Sequence, residues 1–403
     1  PGAAVSIADN LDFLRHLPKP NALQNVLGFS VGLRRPGGGS PLQETPDFGA
    51  NPGNLTMLSY VPDGLTGPSP LVVVLHGCTQ TAASYDTGAG WSTLADRYGF
   101  ALLMPEQKRG NNPNTCFNWF DAADIVRDGG EAASIRQMIT QMTQDHGIDA
   151  GRISITGLSA GGAMTSVMLA TYPEVFSAGA IIAGLPYGVA TTMRDALTAM
   201  RQPNPQPDEV LGDLVRNASS HTGEWPRISV WHGSADRTVH AANADETVKQ
   251  WLSVHGLPSA PMAQTVIDGY PRQVWWGTDG ETIVESYAIT DMGHGTPLGF
   301  GAGEERFGAQ GPYLIDAGIS SSYHIAQFFG LTGHIHHPRT TSSAKTTPVQ
   351  AFITPAPVKA EPENVTFSAR PMDKSHSAER RSRAIDINAV ITRALTAAGL
   401  MKS

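Results

Sequence analysis

Short apolar runs recur near residues 55–60, 71–75, 100–104, 153–156, 178–183, 227–231 and 284–289, and stretches with helical spacing lie near 89–98, 130–145, 161–171, 242–254 and 320–329. The run Leu71-Val72-Val73-Val74-Leu75 has no polar alternation, which marks a strand buried on both faces rather than one lying on solvent. In Glu131 to Ile139 the apolar residues Ile135, Met138 and Ile139 fall on one helical face, as a helix packed on a sheet requires. The alternation predicts an α/β fold: a mostly parallel central sheet covered by helices on both faces.

That rhythm bounds a central domain over residues 45–330. Within it, residues 189–226 are richer in Pro, Asn and Asp and contain Pro203-Asn204-Pro205-Gln206-Pro207, which suggests a cap segment, with a surface loop as the alternative. Beyond residue 331 the periodicity stops. A Thr, Ser, Pro, Lys and Glu-rich stretch predicts a disordered linker over 331–384, and His334, His336 and His337 read as the start of a solvated tail rather than a metal site. Residues 385–403 carry a short amphipathic helix pattern: Asp386 as a cap, Ile387, Val390, Ile391, Ala394, Leu395 and Ala398 on one face, and Gly399 as terminator. Such a helix is marginal alone in water, so it is expected to dock on its own domain, a partner or an apolar polymer surface. Residues 1–44 form an N-terminal extension with another short amphipathic pattern from Asp9 to Leu17.

Composition narrows the function classes. The net charge is -8 and charged residues make up 16% of the 403, which argues against a nucleic-acid surface and suits a neutral substrate. No apolar run approaches the roughly 20 residues of a membrane helix. The start, Pro1-Gly2-Ala3-Ala4-Val5-Ser6, shows neither the basic region nor the apolar core of a signal peptide, and a first residue that is proline rather than methionine fits removal of an earlier segment.

The sharpest chemical signal is Gly157-Leu158-Ser159-Ala160-Gly161, placed between the strand Ile153-Ser154-Ile155-Thr156 and the helical start Gly162-Ala163-Met164. A strand that turns into a helix at a serine flanked by glycines is a nucleophile elbow, where a Cβ at either glycine would obstruct the turn. An elbow serine needs an acid and then a histidine later in the chain, each at a strand end. Asp236 follows the run Arg227 to Trp231, and His294 follows Ser286 to Thr290 between Gly293 and Gly295. Asp268 and Asp291 compete as acids, but Asp268 precedes the last strand and Asp291 crowds His294. The developing oxyanion needs backbone donors, for which the Ala160 amide and the Cys78 amide, in the loop after the Leu71–Leu75 strand, are the candidates, with Thr79 in reserve. A nucleophile, base and acid of this kind perform acyl transfer to water without cofactor or metal, on esters or on amides.

Taken together, His76-Gly77-Cys78-Thr79-Gln80, Asn114-Thr115-Cys116-Phe117-Asn118-Trp119-Phe120, the elbow and Gly184-Leu185-Pro186-Tyr187-Gly188 resemble the poly(3-hydroxybutyrate) depolymerase family of esterases over roughly residues 45 to 330. The resemblance implies an α/β-hydrolase fold and hydrolysis of short-chain polyhydroxyalkanoate or related esters; feruloyl and acetylxylan esterases are neighbours. It also supports a Cys78–Cys116 disulfide, against the alternative of two buried thiols, and with it an extracellular or periplasmic location, the cytoplasm being the alternative. Trp119 and Tyr187 are the expected substrate-lining aromatics, while Trp275 and Trp276 equally suit one buried and one surface position of a hairpin. The leading expectation is a serine esterase on polyhydroxyalkanoate, then a feruloyl or acetylxylan esterase, then a non-catalytic polymer- or granule-binding protein on the same fold. Oligomeric state is not legible.

Overall fold

The computed structural model of the chain describes residues 39–203, 205–299 and 307–333. The amphipathic pattern of residues 9–17, nearly all of the linker and the helix of residues 385–403 lie outside these.

Among the described residues, one sheet contains ten strands: β1 (Gln43–Thr45), β2 (Met57–Tyr60), β3 (Ser69–Leu75), β4 (Ala101–Leu103), β5 (Ile148–Leu158), β6 (Ala178–Ile182), β7 (Arg227–Gly233), β8 (Ala263–Ile267), β9 (Tyr270–Trp276) and β10 (Thr282–Ile289). Their spatial order is β1-β2-β4-β3-β5-β6-β7-β10-β9-β8. From β4 to β10 every neighbouring pair is parallel, while β1 and β2 on one side and β9 and β8 on the other pair antiparallel. A small parallel pair, β11 (Thr296–Leu298) and β12 (Leu314–Asp316), stands apart.

The unbroken apolar run of β3 explains the two-sided sheet. Successive side chains of a strand point to opposite faces. Leu71, Val73 and Leu75 accordingly enter one core with α3 (Gly130–His146), α4 (Ala160–Thr171) and α7 (Ala242–His255), contributing Ile135, Met138, Met164 and Trp251. Val72 and Val74 enter a second core with α1 (Ala82–Ala89), α2 (Trp91–Tyr98) and α8 (Ser321–Phe328), which supply Tyr85, Trp91, Leu94 and Ile325. Each fully buried Val or Leu contributes about 1.5–3 kcal/mol, so this strand is anchored from both sides.

Two local differences from the sequence reading have clear causes. The helix expected near 89–98 is preceded by α1, and the two are separated at Gly90, which adopts φ 78° and ends α1 in a left-handed cap. The segment 189–226 is not an irregular loop: it carries α5 (Met193–Arg201), capped by Thr192, and α6 (Asp208–Arg216), with the proline cluster Pro203 to Pro207 in the connection between them. In β9, Trp275 is buried and Trp276 exposed, the hairpin arrangement weighed above.

Candidate functional site

Ser159 sits at the end of β5 with φ 57° and ψ -117°, a strained conformation for a residue bearing a Cβ. Close packing imposes it. A Cβ on Gly157 would lie 2.4 Å from the Gly161 carbonyl oxygen, and one on Gly162 would lie 2.8 Å from that of Ile182. The Ser159 amide donates to the Ile182 carbonyl at 2.9 Å and its carbonyl accepts from the Ala163 amide at 2.8 Å, so the residue ties β6 to the first turn of α4.

Two strand ends deliver the other groups. His294, in the loop after β10, places Nε2 2.8 Å from Ser159 Oγ and Nδ1 2.6 Å from Asp236 Oδ2. A carboxylate only accepts, so Nδ1 carries the proton and Nε2 presents a lone pair to the serine hydroxyl. The other carboxylate oxygen, Oδ1, accepts the amides of Thr238 at 2.8 Å and Val239 at 2.9 Å. Burial alone would raise the Asp236 carboxyl, but hydrogen bonds from His232 and His294 outweigh it and hold the group well below the usual carboxylate range. Neither competing acid contacts His294: Asp268 pairs with His324 at 2.9 Å, and Asp291 is exposed, its backbone amide donating to Ser234 Oγ.

The loop after β3 approaches the same serine. Its Thr79 amide donates to the Asn114 carbonyl at 2.7 Å, so that amide is committed to loop structure. Cys78 and Ala160 line the pocket beside Ser159, and no protein acceptor engages either amide among the described residues. A disulfide joins Cys78 to Cys116 across 38 positions of chain. Behind it lies a buried polar chain. His76 Nδ1 donates to the Gly77 carbonyl at 2.8 Å and its Nε2 accepts the Gln107 amide at 3.2 Å, while burial lowers the imidazole to about 4. The Gln107 side chain in turn donates to Glu131 and to the Cys116 carbonyl, and the Asn118 amide donates to Glu131. Burial, reinforced by the charge of Asp124, pushes Glu131 up to about 8.

A cavity of about 160 Å³ opens over Ser159. Trp119, Phe120 and the disulfide form one wall, and Met193, Ala196, Leu197 and Met200 of α5 form another. Tyr187 does not line it. Its hydroxyl donates to the Ile125 carbonyl at 3.4 Å and its amide to Gln250 Oε1 at 2.8 Å. The sequence reading did not include Tyr313, which lines the cavity with its ring edge-on to His294 at 5.9 Å between centroids. Burial raises its phenol, partly offset by a hydrogen bond with Thr79. Nor did it include His232, although the i, i+4 spacing to Asp236 was a usable signal.

Comparison with known proteins places this geometry in context. Residues 55–269 match the family model described as Esterase PHB depolymerase. The chain is 48% identical to poly(3-hydroxyalkanoate) depolymerase C of Paucimonas lemoignei over 293 residues, 72% of this chain and 70% of that protein. It is 36% identical to feruloyl esterase B of Neurospora crassa over 264 residues, 64% of this chain and 88% of that protein. Among solved structures, an acetyl xylan esterase from Aspergillus awamori aligns with a TM-score of 0.61 at 27% identity, covering 72% of this chain and 99% of the other.

Proposed function

Because the chain belongs to the Esterase PHB depolymerase family, and is therefore a carboxylic ester hydrolase with the α/β-hydrolase fold, we propose that it cleaves short-chain polyhydroxyalkanoate esters, poly(3-hydroxybutyrate) among them, through Ser159, His294 and Asp236. The observation that carries this reading is the hydrogen-bonded chain from Ser159 Oγ to His294 to Asp236, opening on a largely apolar cavity.

His294 Nε2 takes the Ser159 proton as Oγ attacks the ester carbonyl, and the imidazolium that forms is balanced by Asp236. The negative oxygen of the tetrahedral intermediate is received by the amides of Cys78 and Ala160; one such donor in a dry site contributes roughly 3 kcal/mol. His294 then passes its proton to the leaving alcohol, water enters, and the same base activates it to release the acid. No step needs a cofactor.

The 48% identity to a polyhydroxyalkanoate depolymerase supports the polyester substrate. The small volume and the apolar α5 wall fit a short aliphatic acyl unit, and they support the reading of residues 189–226 as a cap. A second reading, a feruloyl or acetylxylan esterase, is favoured by the aromatic residues Trp119, Phe120 and Tyr313 that line the cavity. The Cys78–Cys116 disulfide supports work in an oxidising, extracellular or periplasmic setting. A non-catalytic polymer-binding role gives way to the enzymatic one on family membership.

Parallel hydrolysis of 3-hydroxybutyrate oligomers, amorphous polyhydroxybutyrate, methyl ferulate and acetylated xylan tests the substrate, with Ser159→Ala as the blank. Preference for the hydroxybutyrate substrates is expected. Preference for ferulate or acetylxylan moves the same machinery to plant-wall esters.

A further inference from the structure

Asp236 Oδ2 receives two imidazoles, and only one of them reaches the serine. His232, on β7 and 4% exposed, brings Nε2 to 3.2 Å from Oδ2 and to 2.9 Å from the Val239 carbonyl. A carbonyl only accepts, so Nε2 bears the proton, hydrogen-bonded to Val239 with Asp236 Oδ2 beside it at 3.2 Å. Its Nδ1 is buried with no hydrogen-bond partner among the described residues.

We propose that His232 is a positioning residue for ester hydrolysis, using its Nε2–H to orient Asp236 Oδ2 toward His294 and to withdraw charge from that oxygen. The proposal rests on the Ser159, His294 and Asp236 reading given above. With Thr238 and Val239 on Oδ1 and both imidazoles on Oδ2, the carboxylate is surrounded by donors alone. Without His232, Oδ2 becomes a stronger base with one donor, and the carboxylate is freer to turn. A more basic Oδ2 holds the His294 imidazolium more firmly, so the neutral base needed for attack forms only at higher pH. The titratable groups that face His232 are Asp236, His294 and, from α7, Asp245, whose charge lies within electrostatic reach. Asp245 is common to all the variants below.

The test compares wild type, His232→Met, His232→Gln and Ser159→Ala on a p-nitrophenyl ester, a probe that reports every ester reading. Glutamine can return an N–H to the position of imidazole Nε2, while methionine fills the space without a donor. For His232→Met, kcat is expected to fall at least about tenfold with KM within about twofold, and the acid limb of kcat/KM to move to higher pH. His232→Gln is expected to recover kcat to within about threefold and to restore the acid limb. Should the methionine variant fail to fold, His232→Asn, whose amide stops short of Oδ2, takes its place with the same expectation. A wild-type kcat and acid limb in the donor-free variant overturns the proposal. So does a fall in kcat with no movement of the acid limb, which a purely structural tie to Val239 would give, or a glutamine variant as impaired as the methionine one. Activity in Ser159→Ala instead overturns the underlying nucleophile assignment, so the two failures are distinct.

Discussion

Gly161 and Leu75 meet so closely that a Cβ on Gly161 would lie 2.4 Å from the Leu75 carbonyl oxygen. This contact presses the first turn of α4 against the end of β3 and leaves Ser159 its strained position between them. Gly161→Ala is therefore expected to destabilise the fold by on the order of 3 kcal/mol, because backbone rather than a flexible side chain must move. Urea denaturation of the variant measures it.

The two strand-end groups make separable predictions. Asp236→Asn is expected to lower kcat by about 10⁴, since an amide no longer fixes the His294 tautomer or balances its charge. Asp268→Asn and Asp291→Asn are expected to stay near wild type, because neither carboxylate touches His294 in the structure. Steady-state kinetics of the three variants decide the acid; a large loss in Asp291→Asn with an active Asp236→Asn would reassign it.

The buried chain behind the oxyanion loop predicts a pH signature of stability. Glu131, pushed up to about 8, keeps a proton in the folded state that the unfolded chain releases near the ordinary glutamate range. The folded state thus binds more protons between those values, and stability falls as pH rises through that window and levels off above about 8. Glu131→Gln abolishes this contribution, so the gap in urea midpoint between variant and wild type should change in the variant's favour from pH 5 to pH 8, a window set by that shift. A gap that does not change with pH contradicts the burial account. His76 acts in the opposite sense: its imidazole, lowered to about 4, destabilises as pH falls below the usual histidine range.

The disulfide closes 38 positions of chain, for which loop entropy gives about 4 kcal/mol of stabilisation. Replacing both Cys78 and Cys116 with serine is expected to cost stability of that order and to reduce kcat more than it raises KM, because the Cys78 amide loses its tether. Denaturation and kinetics on the double variant check both parts.

Much of this site was legible before the fold was known. Parallel strands buried on both faces leave unbroken apolar runs such as Leu71–Leu75, and the elbow combines a strand, a serine and glycines in one local signature. The order of Ser159, Asp236 and His294 then followed from strand ends. The edge strands were harder: β8 mixes Gln264 and Thr265 with exposed Val266, because an edge has less to bury. The helix α5 was masked by the proline cluster that follows it, though its methionines line the cavity. Tyr187 was read into the pocket from its place after β6, but its hydroxyl turns to Ile125. Tyr313 reaches His294 from a distant loop, a contact that no spacing rule announces.

The measurement that tests the account most directly is labelling of the purified chain with an active-site phosphonate, followed by peptide mass spectrometry and assay of residual esterase activity. The account predicts one adduct, on Ser159, with activity lost in proportion to labelling and no adduct in Ser159→Ala. Stoichiometric inactivation with the adduct on another residue, or full activity after Ser159 is modified, would contradict it.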